Sequence, residues 1–261
     1  MPDLLLTIVI PAYNEGLRIG KSLDQIRQYV ASKTFSSEVI VVDDGSTDAT
    51  PQLLAEIAAE WPLLRVVRNP CNRGKGASVR RGVLEARGKY VLFTDADLSA
   101  PIEQAGMLIA ALESTGADAA VGSRALQREL IGVHQPRFRE YAGMGFNLLV
   151  RLFTGLRLHD TQCGLKLFRR STTRWAFECQ RVEGFGFDPE ILFLVKHRGG
   201  SVLEVPVRWN DDPATKVRFL RDSTRMFCEL FRIRWRAWRG KYPTAASGQP
   251  DPSPPECRVA D

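Results

Sequence analysis

The sequence offers little for metal–thiolate or disulfide chemistry. Five of its 261 residues are cysteines, scattered, odd in number and without a Cys-x-x-Cys pair. That argues against a zinc module or a disulfide scaffold and fits a reducing compartment. Histidine is scarcer still, and His134, His159 and His197 show no ligand spacing. Long apolar runs are also missing. The longest near the start, Leu4 to Ile10, falls far short of the ~20 residues that span a bilayer. No basic stretch precedes it and it leads directly into Pro-Ala-Tyr-Asn-Glu, so it reads neither as a membrane span nor as a signal peptide. There is no internal repeat. A hydrophobic fraction of 44% and a charged fraction of 25% exclude a wholly disordered or collagen-like chain. The length suits one large domain, or one domain with an appendage.

Positive charge is nearly absent from the bulk of the chain as a net quantity. Between Lys216 and Lys241, nine basic residues against two acids give +7, so from a total of +6 the other 235 residues sum to −1. Any basic partner surface is therefore C-terminal, and the neutral body is not by itself a nucleic-acid-binding domain.

What is present in the first half is alternation. Leu5–Ile10, Glu38–Val42, Arg65–Arg68, Tyr90–Thr94 and Ala119–Val121 read as strands, the first two apolar enough to be buried on both faces. Between them, helices are expected over Gly16–Ser32, from a cap at Thr47 or Asp48 to Glu60, over Gly76–Ala86, and from Pro101 to Ser114. Strands separated by such helices imply βαβ units and a parallel sheet. The second half is less regular. Helices are expected over Arg139–Leu156, Pro189–His197 and Lys216–Arg239, strands over Leu165–Arg169 and Ser201–Val207, and a disordered tail over the proline-rich end from Pro243. The domain reading is one α/β domain at 1–215, a basic amphipathic helix at 216–241 and a tail at 242–261.

In an open parallel sheet, ligands bind beyond the carboxyl ends of the strands. Acids stand at those ends: Glu15 after the first strand, Asp43, Asp44 and Asp48 after the second, Asp95 and Asp97 after the fourth. Asp48 suits a helix cap, and for Asp44 a cap and a site are equally open. Converging like charges elsewhere on the rim repel unless a cation or donor groups compensate them. Asp95-Ala96-Asp97 at a strand-to-loop turn can share a hard divalent ion, Mg²⁺ or Mn²⁺, which takes oxygen ligands and completes its shell with substrate phosphates. Asn72-Arg73-Gly74-Lys75-Gly76 opens a helix but fits neither the P-loop nor the dinucleotide fingerprint. Its glycines allow close backbone approach, and a plain turn remains an alternative. Asp188 is either the cap before Pro189 or a site acid.

Val9-Ile10-Pro11-Ala12-Tyr13-Asn14-Glu15, Val41-Val42-Asp43-Asp44-Gly45-Ser46-Thr47-Asp48, Asn72-Arg73-Gly74-Lys75-Gly76 and Asp95-Ala96-Asp97 follow one another in order. Together they resemble the GT-A, family-2 glycosyltransferases. Gly122-Ser123-Arg124 and Asp160-Thr161-Gln162-Cys163-Gly164-Leu165-Lys166 narrow the resemblance to the dolichyl- and polyprenyl-phosphate sugar synthases, most like the dolichyl-phosphate β-glucosyltransferase branch. It implies an α/β, Rossmann-like, mostly parallel sheet flanked by helices. It also implies inverting transfer of a hexose from a nucleotide sugar, UDP-glucose above others, to a polyprenyl or dolichyl phosphate, assisted by Mg²⁺ or Mn²⁺. Mannose from GDP-mannose, GlcNAc, or a non-lipid acceptor is the alternative.

Residue by residue, the resemblance places Pro11, Tyr13 and Glu15 at the nucleoside, Asp43 at the base edge, and Lys75 near the nucleotide. It puts Asp95 and Asp97 at the sugar and metal-bridged diphosphate, and Arg124 and Arg139 at the acceptor phosphate. Asp97 and Asp188 are the expected catalytic acids, and Trp209 and Lys216 fall where relatives carry an acceptor-side loop. Ser99 departs from the mannosyl branch, which places Gln at that position. A phosphate acceptor is already an anion, so it needs orienting cations more than a strong base, and an arginine fork matches its oxygens. In the basic segment, Phe219, Leu220, Met226, Phe227, Leu230, Phe231 and Trp238 form an apolar stripe flanked by arginines. That reads either as a packed helix with a solvated face or as an interfacial helix on anionic lipid. The expected location is peripheral, on the cytoplasmic face of a membrane, with no transmembrane helix.

Overall fold

A computed structural model describes residues 4–133, 137–210 and 219–242 of the chain, without the side chains of 128, 137–140 and 219–223. Lys216 and the tail beyond Tyr242 lie outside the described residues. The strands are β1 (Leu6–Ala12), β2 (Ser37–Asp43), β3 (Leu64–Arg68), β4 (Tyr90–Thr94), β5 (Ala119–Ser123), β6 (Ile131–Val133), β7 (Leu165–Arg169), β8 (Val202–Pro206) and β9 (Trp209–Asn210). The helices are α1 (Ile19–Ala31), α2 (Thr50–Glu60), α3 (Lys75–Glu85), α4 (Ala105–Thr115), α5 (Arg137–Thr154), α6 (Arg170–Glu178), α7 (Phe187–His197) and α8 (Phe219–Trp238).

A seven-stranded sheet runs β3-β2-β1-β4-β7-β5-β8, and β6 pairs with β9 beside it. The central strands are apolar on both faces because both faces are covered. Ile8, Ile10 and Leu92 pack with Ile19, Leu23 and Ile26 of α1 and Leu108 and Leu112 of α4. Val9, Val42 and Phe93, pointing the other way, pack with Val79 and Val83 of α3, Ile191 and Leu194 of α7, and Leu230 and Ile233 of α8. Every pairing in the large sheet is parallel except those of β7, which runs antiparallel to β4 and β5. This reversal fixes the site. β7 enters the sheet at the rim where β4 and β5 leave it, so the segment 155–164 arrives beside the loops after β4 and β5.

Several boundaries differ from the sequence reading. α1 starts at Ile19 rather than Gly16, because Gly16 N–H is held by Asp48 Oδ2 at 3.1 Å. Asp48 and Thr47 do not occupy the cap of α2, which is Ala49; Asp48 Oδ1 instead accepts from Thr50 N at 3.0 Å. α6 follows β7 without a break, and β6 and β9 are too short to show a period.

Gly88 passes against the start of β1, where a Cβ would lie 2.6 Å from the Thr7 amide nitrogen. Backbone cannot yield as a side-chain tip can, so Gly88→Ala is expected to destabilise the fold by about 1–3 kcal/mol in urea denaturation. An unchanged midpoint would contradict the close approach.

Candidate active site

At the ends of β1 and β2 the chain turns tightly. Asn14 holds a left-handed φ of +53°, and its Oδ1 accepts from Thr47 N at 2.9 Å. Glu15 N–H donates to Thr50 Oγ1 at 2.8 Å while its carboxylate pairs with Arg18. Pro11 is half-buried and Tyr13 is exposed. Asp43 is wholly buried; Oδ1 accepts from Ser46 N at 2.9 Å, and Oδ2 lies 3.2 Å from Arg68 Nε. Asp44 holds the next loop, accepting from Asn69 Nδ2 at 2.7 Å, Arg73 N at 3.1 Å and Gly74 N at 2.7 Å. Asp44 is thus not the cap of α2; it braces the loop that opens α3.

The glycines around Lys75 serve a backbone approach, as expected, but the backbone is the chain's own. Gly74 has φ +106°, and a Cβ on Gly76 would lie 2.7 Å from Val182 O. Ala77 N–H donates to Glu183 O at 3.1 Å, so segment 182–184 lies across the start of α3. Lys75, the first residue of α3, reaches Asp95 Oδ1 with its Nζ at 2.7 Å. Burial works against its charge, but Asp95, Asp188 and Asp97 outweigh burial and hold its pKa above that of an ordinary lysine.

Asp95 and Asp97 follow β4 in a turn that puts Leu98 at φ +50°. A non-glycine residue there is a strained one, of the kind that recurs at functional sites. Burial first, and then the charge of Asp95, push the Asp97 carboxyl above the usual carboxylate range. Ser99 N–H donates to Asp97 Oδ1 at 2.9 Å. Two half-buried carboxylates in mutual repulsion suit a divalent cation. Among the described residues no group of three or more ligating side chains exists, so phosphate oxygens and water would have to complete its shell.

β7 brings the rest. Lys166, almost fully buried, places Nζ 2.7 Å from Asp188 Oδ1 and donates to Cys163 O at 2.6 Å. Asp188 is therefore no helix cap: the cap of α7 is Gly186, without a side-chain hydrogen bond. Burial pushes Asp188 up, against the pull of Lys166 and Lys75. Beyond β5, Arg124 forks onto Asp160, with Nε–Oδ2 at 2.6 Å and Nη2–Oδ1 at 2.9 Å. It also lies 5.3 Å from the centre of the Trp209 ring. Despite burial, Arg124 keeps Asp160 below the usual carboxylate range. Glu204 of β8 braces that loop, accepting from Asp160 N at 2.9 Å and His159 N at 2.8 Å. A cavity of about 400 Å³ opens here, lined by Arg124, Met144, Asn147, Leu148, His159 and Trp209 among others.

The structure thus gathers Lys75, Asp95, Asp97 and Asp188 into one cluster, with Pro11, Tyr13, Glu15 and Asp43 on the adjacent strand ends. Arg124 stands at the cavity, close enough for Asp95 to act on its charge. Arg139 lies within α5, but its side chain is outside the described residues. Sequence reasoning missed the roles of Lys166, Asp160 and Glu204. The first two lie in the Asp-Thr-Gln-Cys-Gly-Leu-Lys run, which was legible only as a resemblance; Glu204 left no signal.

Residues 7–174 match the family model "Glycosyl transferase family 2", and the chain belongs to that family. It is 37% identical over 240 residues to a dolichyl-phosphate beta-glucosyltransferase of Trichomonas vaginalis, covering 88% of this chain and 71% of that protein. It is 35% identical over 258 residues to the dolichyl-phosphate beta-glucosyltransferase of Saccharomyces cerevisiae, covering 92% and 77%. Among solved structures, glucosyl-3-phosphoglycerate synthase from Mycobacterium tuberculosis in complex with UDP superposes with a TM-score of 0.62 at 22% identity, covering 94% of this chain and 83% of that one. At that identity the likeness establishes the fold.

Removing one partner of a buried ion pair strands the other. Lys166→Met is expected to cost about 3–5 kcal/mol in urea denaturation, and adding Asp188→Asn should restore much of the loss. A single variant as stable as wild type would contradict the pairing.

Proposed function

We propose that this chain transfers glucose, with inversion, from UDP-glucose to the phosphate of dolichol or a related polyprenol. One observation carries the reading: the carboxylate pair suited to a cation and the arginine-lined cavity share one rim, since Asp95 N–H donates to Gly164 O at 3.2 Å, two residues along from Gln162 in the cavity lining. The names of the relatives support glucose and dolichyl phosphate for those proteins. The mycobacterial synthase binds UDP, and UDP with Mn²⁺.

In this reading Pro11, Tyr13, Glu15 and Asp43 hold the uridine. Asp95 and Asp97 hold a divalent ion, Mg²⁺ or Mn²⁺, which when bound neutralises charge on the departing diphosphate. Lys75 adds a second positive charge on the same side. Arg124, its fork fixed by Asp160, presents its remaining edge to the acceptor phosphate. An acceptor phosphate oxygen attacks the anomeric carbon, that carbon's bond to the diphosphate breaks, and UDP leaves. The nucleophile is already ionised, so no strong base is required. Asp188 is the buried acid of the cluster, held by Lys166 with Nζ 2.7 Å from its Oδ1.

The acceptor's chain has a matching surface. Tyr141, Met144, Leu148 and Leu152 of α5 and Phe227, Phe231, Trp235 and Trp238 of α8 are exposed. Phe153 joins the two helices, with ring centres 5.9 Å from Phe227 and 6.5 Å from Phe231. Met144 and Leu148 also line the cavity, so the apolar face leads to Arg124. Arg225, Arg232, Arg234 and Arg239 of this region are exposed. Apolar rings among arginines suit the surface of an anionic bilayer. No helix among the described residues is long and apolar enough to cross a membrane.

The direct test incubates the protein with Mn²⁺, polyprenyl phosphate and UDP-glucose, UDP-GlcNAc or GDP-mannose. Lipid-linked glucose is expected; product from GDP-mannose alone would overturn the sugar, and no lipid product would overturn the acceptor. Asp97→Asn should stay folded and lose at least ~100-fold in turnover, since a neutral amide is a poorer hard-cation ligand. For the membrane, an Arg232/Arg234/Arg239→Gln variant should lose about 1 kcal/mol per residue of binding to anionic vesicles at low salt. Arg236 is spared because it reaches buried Glu190. Equal sedimentation of both proteins with neutral and anionic lipid would contradict the surface.

A further inference from the structure

We propose that Lys75 is a tethered counter-ion that occupies the cation's place at Asp95 until donor binds, then moves onto the donor diphosphate. The inference rests on the metal-assisted reading of the same site and goes beyond it: cation and nucleotide would bind as a coupled pair. Lys75 Nζ lies 2.7 Å from Asp95 Oδ1, on a carboxylate that a divalent ion would need. Both cannot sit there at full strength, because two cations a few ångströms apart repel.

Of the two partners, Asp95 is the fixed one. Its amide donates to Gly164 O at 3.2 Å. Gly164 also lies along its short side chain, where a Cβ would fall 2.6 Å from Asp95 Cγ and 3.3 Å from its Cβ. Lys75 has the freedom. Its four-carbon stem is flexible, and the side chain is partly exposed. Its ammonium lies 5.2 Å from the centre of the Phe93 ring and 5.9 Å from that of Phe185, faces that favour a cation along its path. Asp188 also acts on its charge. Lys75 can therefore leave Asp95 without being stranded. A diphosphate arriving at the rim supplies the negative charge that both cations need, so each should strengthen the other's binding.

Mn²⁺ binding, read by the loss of its free EPR signal, separates this from a simple donor-contact role. Wild type should bind Mn²⁺ weakly alone and at least ~10-fold more tightly with UDP. Lys75→Met and Lys75→Gln should bind Mn²⁺ alone several-fold more tightly than wild type, yet bind it more weakly than wild type when UDP is present. Lys75→Arg, which keeps the charge, should behave as wild type toward Mn²⁺ alone. Mn²⁺ affinity that is unchanged or reduced in folded Lys75→Met and Lys75→Gln overturns the counter-ion role while leaving the metal reading intact. Wild type binding Mn²⁺ equally with and without UDP overturns it without recourse to any variant. Absence of Mn²⁺ binding to wild type even with UDP overturns the metal reading, and this proposal with it.

Discussion

Like charges crowd one edge of the sheet, and the site exists because the fold brings cations to meet them. Asp95, Asp97, Asp160 and Asp188 all lie at the rim where the parallel strands end. Left alone they would repel and take up protons. Each of three cations answers one of them at hydrogen-bond distance: Lys75 with Asp95, Lys166 with Asp188, Arg124 with Asp160. That arrangement depends on a single reversal of direction. Because β7 runs antiparallel between β4 and β5, its entering loop delivers Asp160, Gly164 and Lys166 to the rim instead of to the far edge. A parallel strand in that place would leave Asp188 buried without its lysine.

The same principle ties α8 to the site. Glu190, completely buried in α7, accepts from Arg181 N at 2.9 Å and Val182 N at 2.7 Å, and Tyr242 O–H donates to it at 2.5 Å. Arg236 of α8 approaches it at 3.8 Å. Glu229 of α8 is buried with its carboxylate and Cβ close against Gly186. Segment 181–186, which covers the start of α3 beside Lys75, is thus held on its other side by α8. The apolar face of α8 and the ionic cluster belong to one packed unit, within which a helix seated on lipid and a lysine at a diphosphate would be only a few contacts apart.

How much of this could be read in advance follows from what each residue type reveals. β1, β2 and β4 were legible because strands buried on both faces leave short unbroken apolar runs. Asp95 and Asp97 were legible because an acid pair where such a run ends has no packing reason to be there. The direction of β7 was not: Leu165–Arg169 has the pattern of a strand, and nothing in that pattern says which way it points. With it went Lys166, which reads as an ordinary strand residue until its neighbour across the fold is known. Asp188 was ambiguous because an acid before Pro189 satisfies a local capping rule, and only the tertiary pairing overrides it. α6 escaped because it follows β7 with no turn residue between them. Arg124 was singled out from its motif, but its pairing with Asp160 was not, since a fork onto a carboxylate 36 positions away leaves no local trace.

In the proposed function an acceptor phosphate at Arg124 and a diphosphate-bound cation at Asp95 and Asp97 would share one rim. Paramagnetic relaxation of phosphorus measures that relation directly. With Mn²⁺ and UDP bound, the ³¹P resonance of a short-chain polyprenyl phosphate should relax strongly, should do so far less when UDP is omitted, and should lose the effect in Arg124→Lys. An acceptor phosphate that binds the protein while its phosphorus stays indifferent to the bound Mn²⁺ would contradict the account.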